Sequence, residues 1–220
     1  MKTFKLSPSF ISLMEECKRC FWLEKHKVWS RPVAIFPSLP SGMDNILKKH
    51  FDKFRDRNRL PPELCNRKSC ENLRLFGIND EEKQLLSLWR NNKKGISYTD
   101  SDGSVLYGAV DNILVKDSKL IVLDYKTRGF PLKEGTPEHY KNQMDIYNFL
   151  LKKNGYEVED YGFLLFYFPK EILDSGEVVF DTELVKLPVN PGNAERLWRK
   201  AISILNEDCP KETCKWCEHV

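Results

Sequence analysis

Two apolar, β-branched runs, residues 104–116 and 119–128, are separated by nothing more than Asp117-Ser118. Short polar punctuation between two such runs predicts a β-hairpin. A turn centred on Asp117-Ser118 fixes the register: Lys116 opposes Lys119, Ile113 opposes Val122, and Asp111 opposes Asp124. Side chains alternate faces along a strand, so Asp111, Asp124 and Lys126 fall on the same face as Ile113, Val115, Leu120 and Val122. Directly opposed residues bring their Cβ atoms to about 5 Å. Two carboxylates at that spacing on an apolar face repel each other and lose hydration. A shared proton, the Lys126 ammonium or a bridging divalent cation would relieve the conflict.

An isolated Asp-x-Lys is ordinarily a solvated surface pair, but apolar neighbours on both runs argue against that here. Two carboxylates and the Tyr125 carbonyl suit a hard cation such as Mg²⁺ or Mn²⁺. With an ammonium two residues on, Asp124-Tyr125-Lys126 holds the parts of metal-assisted phosphodiester hydrolysis.

The remaining elements read as helices over residues 7–26, 43–57, 80–89, 136–153 and 191–206, and as strands over 161–168 and 178–187. Ser7 with Pro8, and Thr136 with Pro137, are helix-start signals. A loop is expected around Pro32, Pro37 and Pro40. Residues 63–95 are less legible, reading as a short loop that holds Cys65 and Cys70 before the helix over 80–89. The expected class is α/β, a central mixed sheet flanked by helices, with a hydrophobic fraction of 41% that suffices for a core. A net charge of only +3 permits a nucleic-acid partner without requiring one. No apolar leader or membrane-length stretch is visible, so a cytoplasmic location with reduced thiols and no membrane partner is expected. Seven cysteines then call for metal rather than disulfides. Cys17-x-x-Cys20 and Cys214-x-x-Cys217, with Cys209 nearby, suit tetrahedral Zn²⁺ or an iron–sulfur cluster that would fasten the first helix to the tail.

Gly108-Ala109-Val110-Asp111, Asp124-Tyr125-Lys126, and Gln143 with Tyr147 resemble the G-x-x-D, D-Y-K and Q-x-x-x-Y motifs of the RecB-type branch of the PD-(D/E)XK nuclease superfamily. That branch includes the CRISPR-adaptation nucleases and the AddB-like recombination nucleases. Leu6-Ser7-Pro8-Ser9 and Cys17-Lys18-Arg19-Cys20-Phe21 are similar to its opening segment. The order of these motifs is kept over most of the chain. The resemblance implies a restriction-endonuclease-like core and one nuclease domain over 1–220, with a helical part (1–95), a catalytic core (96–190) and a helix with a Cys-rich tail (191–220). It implies DNA as the partner, in repair, recombination or CRISPR-type processing, with protein partners unspecified. Asp111, Asp124 and Lys126 become catalytic, and Gln143 and Tyr147 touch DNA or orient Lys126. It favours a [4Fe–4S] centre held by Cys209, Cys214 and Cys217 with Cys17 or Cys20, where the two CxxC pairs alone would suit zinc.

One element departs from the motif set. The family's metal-binding His on the second helix has no counterpart at the usual spacing after Gly42. His50 comes later, on the side with Ile46, Leu47 and Phe54, where a core histidine is commoner; Asp44 is the substitute candidate. Three other readings stand beside a nuclease: a relative that binds or scaffolds nucleic acid without cutting, a thiolate-metal interaction module, and another hydrolase using the same carboxylates.

Overall fold

The structure, a computed structural model, describes residues 2–32 and 38–220. Its frame is a five-stranded mixed sheet in the order β2 (Arg74–Leu75), β5 (Asn112–Lys116), β6 (Lys119–Thr127), β7 (Tyr161–Ile172) and β8 (Val178–Pro188). Strand β6 is central. It pairs antiparallel with β5 and parallel with β7, while β7 and β8 are antiparallel. The parallel pair needs a crossover, supplied by helix α6 (Lys141–Lys153). The β5–β6 turn places Asp117 and Ser118 at φ 45° and 71°, the backbone of a two-residue I′ hairpin loop. Ile113↔Val122 and Lys116↔Lys119 follow in register.

Period-two alternation divides the core. Ile113, Val115, Leu120 and Val122 face α6 and α7 (Pro191–Asn206), packing with Met144, Leu150, Leu197 and Trp198. Leu114, Ile121, Leu123 and Tyr125 face the other way, onto Leu47 and Phe51 of α3 (Ser38–Arg55) and Leu64 of α4 (Pro62–Cys65). Both faces of the hairpin are therefore buried, which is why its sequence is almost continuously apolar.

The run expected to form one strand over 104–116 is instead two. β4 (Val105–Gly108) belongs to a second, three-stranded mixed sheet in the order β1 (Lys5–Leu6), β4, β3 (Ile96–Thr99). The chain leaves that sheet at Ala109 and enters the large sheet at Asn112. The end of α5 (Asp80–Trp89) diverts it: the Val110 amide donates to the Trp89 carbonyl at 3.1 Å, and Arg90 Nε donates to the Asp111 carbonyl at 2.8 Å.

The first helix also divides, into α1 (Pro8–Glu16) and α2 (Lys18–Lys25), because Cys17 is extended and its sulfur caps α2 by accepting the Cys20 amide. Helix α3 starts before Met43. Pro40 fits its first turn, where no amide is required, and Ile46 proves largely exposed rather than core-facing. Of the expected proline loop, Pro37 lies outside the described residues. A 3₁₀ turn over Thr136–Tyr140 precedes α6, so that helix begins later than its start signal suggests. Among the described residues, no helix is long and apolar enough to cross a membrane.

Candidate active site and a four-thiolate group

The β5–β6 ladder ends at Asn112↔Leu123, one step short of Asp111 and Asp124. Because the chain turns away there, the Tyr125 amide has no backbone partner on β5, and the Asp111 carboxylate accepts it at 2.9 Å. Asp124 is 2% exposed, on the face shared with Val122, and its carboxylate touches the Lys126 ammonium. Burial pushes the Asp111 carboxyl up to about 7, and the Asp124 charge pushes it the same way. Burial works against the Lys126 ammonium, but Asp124 outweighs it and holds the pKa above its ordinary value. Tyr125 points to the opposite face, where its hydroxyl accepts from Asn112 Nδ2 at 2.6 Å; its carbonyl lies on β6 between Asp124 and Lys126.

Gln143 and Tyr147, one turn apart on α6, extend this group. Lys126 Nζ donates to Gln143 Oε1 at 3.1 Å, and Gln143 Nε2 donates to the Tyr147 hydroxyl at 2.7 Å. The Lys126 ammonium also lies 4.6 Å from the centre of the Tyr140 ring. Gly108 is small for a visible reason, since a Cβ there would meet Tyr147 Cε1 at 2.6 Å. Gly108→Ala is expected to displace the Tyr147 ring and cost about 1–3 kcal/mol in stability. Thermal melts test this, and adding Tyr147→Phe should cost little more.

Asp44 and Lys48, at i and i+4 on α3, complete the acidic group. Lys48 Nζ lies 2.7 Å from Asp44 and 3.3 Å from Asp111. His50 is placed elsewhere: its Nε2 is 3.0 Å from Glu63, its ring abuts Phe51 and Phe54, and Glu63 also accepts the Tyr167 hydroxyl. Two residues beyond Lys48, it projects from a different side of the helix. The expectation that His50 joins the carboxylates is therefore corrected, and Asp44 is the residue brought to them. Three carboxylates face two ammonium groups here. That charge deficit among oxygen donors fits a divalent hard cation. Beside the group opens a cavity of about 620 Å³, walled by Ser7, Ser9 and Ser12 of the first helix region, by Gly108, and by Gln143 and Tyr147.

The model of the PD-(D/E)XK nuclease superfamily matches residues 5–219. The chain belongs to this superfamily. Members of the PD-(D/E)XK superfamily are typically metal-dependent nucleases. No curated protein sequence matches the chain. Among solved structures, the one titled "Crystal structure of SSO0001" aligns at 16% identity with a TM-score of 0.43, covering 96% of this chain and 81% of that one.

This PD-(D/E)XK chain also gathers four cysteines. The sulfurs of Cys17, Cys20, Cys214 and Cys217 lie within 4.8 Å of one another. Burial pushes Cys20 up to about 12. Cys214 is held down to about 6 despite its burial, by the Trp216 amide and the neighbouring thiols. Cys209 is not in the group; Arg19 donates to its sulfur at 3.4 Å. Cys70 packs in the core beside Leu73, and Cys65 is exposed.

Sequence reasoning missed three members of the site's support. Lys48 had a readable signal, the i,i+4 spacing from Asp44. Arg90, which grips the Asp111 carbonyl and Asp52, had none. Nor had buried Arg55, which ties Asn112 and the Phe76 carbonyl to α3.

Proposed function

We propose that this protein is a Mg²⁺- or Mn²⁺-dependent deoxyribonuclease that hydrolyses phosphodiester bonds at Asp111, Asp124 and Lys126. The observation that carries the reading is the meeting of buried Asp124 and half-buried Asp111 with the Lys126 ammonium beside an open cavity. Asp111 and Asp124, with Asp44 in place of the missing histidine and the Tyr125 carbonyl, would hold the cation. When bound, such an ion lowers the pKa of water and offsets charge on the phosphoryl oxygens.

The chain's own groups do the rest. Lys126, kept protonated by Asp124 and aimed by Gln143, stabilises negative charge at the scissile phosphate. Tyr147 fixes Gln143. Ser7 and Ser9, whose hydroxyls share one hydrogen bond at 2.9 Å, keep one hydroxyl hydrogen for a backbone phosphate along the cavity wall, whereas the Ser12 hydroxyl donates to the Pro8 carbonyl. The RecB-type likeness of Gly108–Asp111, Asp124–Lys126 and Gln143–Tyr147 favours work in DNA repair, recombination or CRISPR-type DNA processing.

Incubation with single- and double-stranded DNA should show cleavage in Mn²⁺ or Mg²⁺ and none in EDTA. Calorimetry should show Mn²⁺ binding that Asp44→Asn weakens and His50→Ala leaves alone. Cleavage that persists in EDTA would count against the assignment. A second reading, binding DNA without cutting it, is favoured by the commitment of His50 to Glu63; DNA retention without hydrolysis in either metal would select it.

A further inference from the structure

We propose that Cys17, Cys20, Cys214 and Cys217 hold one zinc ion as a mononuclear tetrathiolate, with Cys209 outside the ligand set. The iron–sulfur centre implied by the RecB-type resemblance does not fit these residues. Four thiolates about 2.3 Å from one tetrahedral ion sit about 3.8 Å apart along each edge. Cys17 and Cys217 are 3.8 Å apart, Cys20 and Cys214 3.5 Å, and Cys214 and Cys217 3.8 Å. In a [4Fe–4S] cube each thiolate binds a different iron and points away from the cube, so the sulfurs must stand farther apart than the irons. The observed group has no room for that.

Both halves of the group are shaped locally. Cys17 breaks the first helix, and its sulfur accepts the Cys20 amide at 3.4 Å, setting both thiols at one end of α2. In the tail, the Cys217 amide donates to the Cys214 carbonyl at 2.9 Å and the Cys214 amide to the Cys217 sulfur at 3.4 Å. A zinc tetrathiolate carries two net negative charges, and Arg31 reaches within 3.9 Å of Cys214.

Cys209, which the cluster pattern would recruit, is engaged by Arg19, whose guanidinium also donates to the Pro210 and Val220 carbonyls. The tail beyond α7 has no helix or strand of its own. Metal there closes a loop of nearly the whole chain and ties α1, which forms one wall of the cavity, to the C-terminus.

The test is the metal content of full-length protein produced anaerobically with both iron and zinc supplied. The expected result is colourless protein with about one zinc per chain and no acid-labile sulfide. Cobalt(II) substitution should give the intense visible bands of a tetrahedral thiolate site. Cys209→Ser should retain the full metal content, while Cys17→Ser and Cys217→Ser lose it. Stoichiometric iron with sulfide, a single iron per chain, metal-free protein, or loss of metal from Cys209→Ser would each overturn the assignment. The wild-type stoichiometry and Cys209→Ser decide the matter even if the ligand variants fail to fold. Because the readout is metal rather than cleavage, the result is independent of whether the protein cuts DNA.

Discussion

Lys126→Ala and Asp124→Asn are each expected to slow DNA cleavage by about 10³-fold or more. Lys126 sits where its charge has no substitute: Asp124 fixes one side and Gln143 the other, and Lys48 is committed to Asp44 and Asp111. Asp124 is nearly sealed from solvent, so the isosteric asparagine is preferred to alanine, which would add a cavity to the lost charge. Gln143→Ala should cost far less, about tenfold, because it positions the ammonium without carrying charge. Single-turnover cleavage, with circular dichroism to establish folding, distinguishes these effects. Cleavage unchanged in both Lys126→Ala and Asp124→Asn would remove the catalytic assignment altogether.

Relative to Asp111→Asn, the metal-free wild-type protein is expected to lose stability as pH rises from about 5 to about 8; the comparison cancels the opposing gain from the Cys214 thiol, held down to about 6 in both proteins. Asp111 titrates at about 7 when folded, against an ordinary carboxylate value of 3.8. The folded state therefore binds the proton more tightly than the unfolded chain does. Its stability contribution is complete below the unfolded value and disappears as pH climbs through about 7. The effect is on the order of 3 kcal/mol, or roughly 5–10 °C in melting temperature for a chain of this size. Asp111→Asn keeps an acceptor for the Tyr125 amide and removes the charge, so at pH 8 without metal it should melt above wild type. Mn²⁺ should raise the wild-type melting temperature at pH 8 and leave Asp111→Asn nearly unmoved. A wild-type profile parallel to that of Asp111→Asn between pH 5.5 and 8 would show that the acid pair is not under strain.

What could be read from the chain was the part set by local rules. The turn at Asp117-Ser118 fixed the hairpin register, because a two-residue loop admits one pairing and both faces are buried. Helices α5 and α7 fall where they were expected, over residues 80–89 and 191–206. The division of residues 105–116 between two sheets was not visible, because Gly108-Ala109-Val110 is as apolar as the strands it joins. What redirects it is a pair of contacts from Trp89 and Arg90, far away in sequence. The break at Cys17 was hidden likewise, since the apolar spacing runs through it and the cause is a sulfur acting as cap. His50 was a candidate only as the histidine after Gly42 on that helix, later than the family spacing, and the helix turns its ring toward Glu63.

The three-residue link from Ala109 to Asp111 has a mechanical implication. The gap between the two acids is set by how the small sheet is seated against the large one, not by strand pairing. Any slippage between those sheets, whether from a substitution at Arg90 or from a load on the N-terminal wall, would open or pinch the acidic jaw directly. Cation affinity would then serve as a gauge of inter-sheet alignment.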